Sequence, residues 1–162
     1  MPLKITIAAI GKLKAGPETE LYERYAKRFG QSGKAVGLGP LTLLEFPESR
    51  AQTAEQRKSD EGKKLLAAVG PNAHRVILAE TGKAMTSDAF ARWLGSLTNG
   101  GQTDLALIIG GPDGHAPETL KAAHATLSLG AMTLTHGLAR VVLAEQLYRA
   151  TTILAGHPYH RA

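Results

Sequence analysis

Residues 104–109, DLALII, set five apolar side chains in a row and run straight into two glycines. A strand with one face in water alternates polar and apolar residues, whereas a continuous apolar run needs cover on both faces. A strand inside a mostly parallel sheet, with helices packed on each side, meets that need. The rest of the chain supplies matching segments. Leu3–Ile10 (LKITIAAI) reads as a first strand, Leu41–Phe46 as a second and Arg75–Ala79 as a third, followed by a turn at Glu80-Thr81-Gly82-Lys83. Asp104–Ile109 is the fourth strand, and the short apolar run Ala131–Leu134 reads as the fifth.

Helical signals fall between these strands. Pro17 suits a first turn, Glu18 and Glu20 follow it, and Leu21, Tyr25 and Phe29 recur at four-residue spacing until Gly30. Residues 30–40 hold four glycines and a proline and read as a flexible loop. Thr53 caps a helix running to Val69, charged on most faces and therefore expected at the periphery. Thr86 or Ser87 opens another, with Phe90, Trp93, Leu94 and Leu97 as its apolar stripe, and Pro117 starts a short one. A long helix spans about Leu138 to Leu154. The expected class is α/β, one domain over residues 1–162, with a mostly parallel central sheet flanked by helices.

Composition narrows the chemistry. There is no cysteine, which removes disulfides, thiolate metal sites and any mechanism through a thiol adduct. The formal charge of +5 points to an anionic partner, nucleic acid first. No apolar run is long enough to span a membrane, and the N-terminus reads as a strand, so a cytoplasmic protein without membrane contact is expected.

Most of the polar chemistry lies in the last third. Gly110-Gly111-Pro112-Asp113-Gly114 leaves a buried strand and precedes a helix, where open α/β sheets bind ligands and where glycine lets a ligand approach the backbone. Its spacing is neither G-x-G-x-x-G nor a P-loop. Gly130–Thr135 followed by His136-Gly137 is a second such crossing. On the last helix, Glu145 falls within the stripe of Leu138, Val141, Val142, Tyr148 and Thr152, and Arg149 stands four residues on to pair with it. Arg140 lies near the start of that helix, where the macrodipole disfavours a cation and an anionic partner would account for it. The chain ends on His157-Pro158-Tyr159-His160-Arg161, which combines a stacking ring, two imidazoles and a cation suited to an unstacked base and its phosphates. His157 and His160 lack a third ligand nearby in the sequence, so no metal site is expected.

GGPDG, the stretch MTLTHGLARVVLAEQLYRA and the terminal HPYHR, in that order, resemble the ribosomal large subunit pseudouridine methyltransferase H family of small SPOUT-class enzymes. The resemblance runs from ITIAAIGKLK to the last residues. It implies a C-terminal trefoil knot, a homodimer packed through the knot regions, and S-adenosylmethionine as cofactor. By position, the cofactor loops are Leu78 and Ala79, Gly110 and Gly111, and Gly130, Ala131, Met132, Thr133, Leu134 and Thr135. The implied substrate is a pseudouridine of 23S rRNA within the assembled ribosome, methylated at N3. Family members commonly carry leucine at Ala79, serine near Gly130, and proline where Thr135 and Gly137 flank His136.

Candidates to accept the N3 proton or to stabilise the anion that its loss creates are His136, Arg140, His157 and His160, with Tyr159 stacking on or near the base. The tail is expected to close over the cofactor from its own or the other subunit, with Glu145 and Arg149 holding the last helix and the dimer. Two alternatives stand beside this reading: a knotted tRNA ribose 2′-O-methyltransferase, and an RNA- or ribosome-binding factor without catalysis.

Overall fold

The computed structural model describes residues 1–161; Ala162, the last residue of the expected domain, lies outside the described residues. Five parallel strands form one sheet: β1 (Leu3–Ile10), β2 (Leu38–Phe46), β3 (His74–Ala84), β4 (Asp104–Ile109) and β5 (Ala125–Ser128), in the order β2-β1-β4-β3-β5. Between them run α1 (Pro17–Gly33), a 3₁₀ turn at Lys34–Val36, α2 (Ala54–Val69), α3 (Ser87–Asn99), α4 (Pro117–Lys121) and, last, α5 (His136–Ala155). Among the described residues no helix is long and apolar enough to cross a membrane.

Alternation along the central strands builds two cores. Ile5, Ile7 and Ala9 of β1, with Leu105, Leu107 and Ile109 of β4, pack against α1, α3 and α5 through Phe29, Leu94, Leu143 and Leu147. Ala8 and Ile10, with Ala106 and Ile108, face the other way, toward Leu65 of α2. Each fully buried leucine or isoleucine contributes about 1.5–3 kcal/mol relative to exposure. The double cover inferred from DLALII is therefore real: Leu105–Ile108 are essentially inaccessible.

The helix starts follow their sequence signals. Thr53 accepts from the N–H of Gln56 at 3.1 Å, and Thr86 from Ala89 at 3.0 Å. Other expectations change. α1 does not stop at Gly30 but continues to Gly33. The roughly 1 kcal/mol helix cost of a glycine is outweighed by packing of α1 on α5, where Phe29 is buried and Ser32 Oγ meets Thr151 Oγ1 at 2.5 Å. The expected loop 30–40 is mostly ordered structure, with β2 beginning at Leu38, which pairs with Leu3.

The fifth strand is Ala125–Ser128, not Ala131–Leu134. Residues 131–134 form a loop in which Met132 is 85% exposed, so their apolar character does not serve this chain's own core. β3 runs through the expected turn at 80–83: Leu78 and Lys83 both register on Leu127, so the residues between them arch out over β5. Gly82 permits the arch, since a Cβ there would stand 2.9 Å from the backbone of Leu127.

Candidate functional site

The carboxyl ends of β1, β3, β4 and β5 open at one end of the sheet, and the loops leaving β3, β4 and β5 are tied to one another there. After β4, Gly114 N–H donates to Gly111 C=O at 3.0 Å and closes the double-glycine turn. His115 lies under that turn, 2.8 Å from where a Cβ on Gly110 would stand, and its Nε2 donates to the C=O of Leu78 at 3.0 Å. Burial pushes the His115 imidazole below its ordinary range, and the bond to Leu78 opposes this more weakly. After β5, Ser128 Oγ lies 3.1 Å from Glu80 C=O and accepts from Gly130 N–H at 3.1 Å, while Thr133 Oγ1 donates to Glu80 Oε1 at 2.7 Å. Leu78 and Ala79, Gly110 and Gly111, and Gly130–Thr135 thus meet as three linked loops, through His115 and Glu80. A cavity of about 240 Å³ lies beside the third loop, between Met85, Phe90, Gly130, Val142 and Gln146.

α2, expected at the periphery, braces the double-glycine turn. Arg57 donates to both oxygens of Asp113 at 2.7 and 3.3 Å, and that pairing raises the guanidinium pKa and lowers the carboxyl. One helical turn on, Glu61 is 3% exposed. Its Oε2 accepts from Ser49 N–H at 2.8 Å, while its Oε1 is buried without a partner. A Cβ on Gly111 would stand 2.9 Å from that Oε1 and 3.1 Å from Ile10 Cγ2, so any other residue would have to displace the Glu61 carboxylate.

At the start of α5, Thr135 caps the N–H of Leu138 at 3.3 Å, and the His136 ring lies against Gly11. Arg140 occupies a different place from the one expected. It is 0% exposed, and its guanidinium donates to the carbonyls of His136 at 2.9 Å, Ile10 at 3.2 Å, and Gly11. Its Nε lies 3.2 Å from Glu45 Oε2 without an aligned hydrogen bond, so that contact is coulombic. Burial lowers the Arg140 pKa against the opposing pull of Glu45, and burial with Glu45 pushes the Tyr22 phenol up to about 12. Glu45 and the end of β1, not an outside anion, compensate this cation.

The tail folds back on α5. Tyr159 packs its ring edge-on against Tyr148 at 4.8 Å and donates its hydroxyl to Glu145. Arg149 Nη1 donates to His160 Nδ1 at 3.1 Å, which leaves the His160 ring proton on Nε2, facing Asp88 at 3.6 Å. His157 is exposed, and its Nδ1 accepts from Tyr159 N–H at 3.2 Å. Gln146 connects this cluster to the cavity, donating to Glu145 Oε1 at 3.1 Å and accepting from Ser87 Oγ at 2.7 Å. The ion pair expected between Glu145 and Arg149 is present at 2.8 Å, and within the chain it anchors the tail. Among the described residues, no group of three or more His, Asp or Glu side chains could hold a metal ion.

Glu45, Glu61, Arg57 and His115 escaped the sequence reading. His115 alone carried a local signal, as the residue directly after GGPDG; the others are defined by partners distant in the chain.

The model of a predicted SPOUT methyltransferase family matches residues 3–160. Among curated relatives, the ribosomal RNA large subunit methyltransferase H of Brucella anthropi is 48% identical over 160 residues, covering 99% of this chain and 100% of that one. The protein of the same name from Rhizobium meliloti is 51% identical with the same coverage. Among solved structures, a probable methylase family protein from Haemophilus influenzae aligns over 100% of this chain and 72% of its own, with a TM-score of 0.55 at 15% identity, a likeness of fold.

Proposed function

The chain belongs to the SPOUT methyltransferase family, and we propose on that premise that it transfers a methyl group from S-adenosylmethionine to N3 of a pseudouridine in 23S rRNA of the assembled ribosome. The observation that carries this reading is the linkage of the three strand-end loops: the segments assigned to the cofactor leave three different strands, yet His115 and Glu80 tie them together. The double-glycine turn suits the cofactor. A Cβ at Gly110 or Gly111 would strike His115 or Glu61, so the turn presents bare backbone, and an unpaired carboxylate oxygen lies behind it. Leu78, Ala79, Gly110, Gly111 and Gly130–Thr135 would hold the cofactor through backbone groups and the apolar Met132 and Leu134. A threaded trefoil at these loops is part of the same reading.

S-adenosylmethionine supplies a methyl group already activated by its sulfonium. The residues of the chain then have two tasks, to align the acceptor nitrogen and to take its proton. Arg140 is enclosed and positions α5 against β1. The Nδ1 lone pairs of His157 and His160 are taken by Tyr159 N–H and by Arg149. The His136 ring, at the mouth of the third loop, has no such partner among the described residues, which makes it the candidate to accept the N3 proton. Tyr159 and the exposed His157 form the RNA-facing part of the tail.

Exposed Met132 and Leu138, at 85% and 45%, offer an apolar surface for a homodimer through the knot region. A ribosomal substrate and the charge of +5 agree with action on RNA in the cytoplasm.

The test is transfer of labelled methyl from S-adenosylmethionine to ribosomes from a strain lacking this enzyme, alongside free subunits and tRNA. Label in 23S rRNA of assembled ribosomes is expected. Label in tRNA alone, or in none of them, overturns the reading.

A further inference from the structure

Glu61 holds a buried carboxylate with one oxygen engaged and the other bare. Oε2 takes the N–H of Ser49 at 2.8 Å, and Oε1 is enclosed with no donor among the described residues. Buried polar atoms are almost always paired, and an unpaired carboxylate oxygen lowers stability. Folding alone gives no reason for the charge, since a glutamine would keep an acceptor for Ser49 N–H without burying a carboxylate. The location supplies one. Oε1 lies 2.9 Å from where a Cβ on Gly111 would stand, against the turn assigned to the cofactor. Arg57, four residues earlier on the same helix, grips Asp113 of that turn at 2.7 Å, so α2 fixes the separation of carboxylate and turn. Two consecutive glycines make the peptide units of this turn easy to reorient.

We infer that Glu61 is a positioning residue for the cofactor, whose Oε1 accepts a backbone N–H of the double-glycine turn when that turn closes on S-adenosylmethionine. This rests on the methyl-transfer reading. Binding then supplies the missing hydrogen bond, and the carboxylate couples turn conformation to cofactor affinity. An oxygen unpaired in the free protein is a cost that cofactor binding removes.

The discriminating variant is Glu61→Gln. Ser49 N–H needs an acceptor, so it takes the amide oxygen and leaves the NH₂ facing Gly111, a donor where an acceptor is required. Calorimetric titration of the full chain with S-adenosylmethionine and with S-adenosylhomocysteine should show Kd raised by about ten-fold or more. The Tm without ligand should be unchanged or higher. Amide hydrogen exchange at Gly110, Gly111, Asp113 and Gly114 should slow on addition of S-adenosylhomocysteine in the unaltered protein and not in the variant. Glu61→Asp keeps the charge but draws the oxygens back by one methylene; it should also bind weakly while remaining folded.

Unchanged Kd in Glu61→Gln overturns the inference. So does a fall in ligand-free Tm with normal exchange protection on binding, which marks a purely structural residue or one paired with a resident water. If the unaltered chain itself binds neither compound, the methyl-transfer reading fails and this inference with it.

Discussion

The hydroxyl of Tyr159 donates to Glu145 Oε2 at 2.8 Å, joining the end of the chain to the helix it has just left. The same oxygen takes Nη2 of Arg149 at 2.8 Å, and that guanidinium lies 4.8 Å over the Tyr159 ring. Charge-assisted bonds to one carboxylate and a cation over a ring hold the tail in a single conformation. Burial, and then the bond to Glu145, push the Tyr159 phenol up to about 12, so it remains a donor across the neutral range.

Deleting residues 157–162 should abolish methyl transfer to ribosomes and lower the Tm, since the tail's bonds to Glu145 and Arg149 go with it, while leaving calorimetric binding of S-adenosylmethionine largely intact. Tyr159→Phe keeps the ring and removes only the donor. It should cost about 1–3 kcal/mol in urea unfolding, the range for a hydrogen bond to a charged group. Normal transfer by the truncated chain would exclude the tail from the reaction.

Arg140 should behave as a core residue. Arg140→Met leaves Glu45 and three backbone carbonyls without their cation, a loss expected to cost about 3–5 kcal/mol in urea denaturation. Arg140→Lys should recover only part of it, because a single ammonium cannot span carbonyls on β1 and α5 together. A near-neutral Arg140→Met, with transfer specifically lost, would return this residue to the reaction itself.

His115 should give the fold a pH dependence of definite sign. Its folded pKa lies below the ordinary 6.5 because burial disfavours the cation. The unfolded chain therefore takes up a proton first as pH falls, and the contribution of this residue, complete above 6.5, is lost between 6.5 and the lower folded value. The Tm should fall on acidification from about pH 7.5 to about pH 5.5, and less in His115→Gln. Burial, His124 and Arg75 also depress His74, so some slope should remain in the variant. An unchanged slope in His115→Gln would remove His115 as its source.

His136→Asn should lower kcat for ribosome methylation by about 100- to 10,000-fold, the range for loss of a general base. Cofactor affinity should hold, because the ring contacts Gly11 rather than the double-glycine turn. Full activity would leave positioning alone as the source of catalysis.

Short-range order was legible because it is written in neighbouring residues. The compact apolar run LKITIAAI announces a strand and the unbroken DLALII a covered one, and Thr53 and Thr86 announce helix starts through bonds only three residues long. Errors arose where a local pattern has two physical meanings. Ala131–Leu134 is apolar like a strand, yet its side chains face outward in a loop, while the less conspicuous Ala125–Ser128 takes the edge beside β3. Gly30 resembles a helix stop, yet packing of α1 on α5 carries the helix past it. The charged face of α2 concealed Glu61, since a carboxylate in a helix reads as solvated until something encloses it.

The sequence by itself determined the α/β class, the parallel sheet, the glycine turns at strand ends and the chemistry of the tail, because hydrophobic period, backbone freedom and side-chain type are properties of adjacent residues. The tertiary structure alone decided which groups are paired. It enclosed Arg140 between β1 and α5 with Glu45, joined the loops through His115 and Glu80, and set the bare oxygen of Glu61 against Gly111. Pairing between distant residues depends on strand order and helix packing, and no spacing along the chain encodes it.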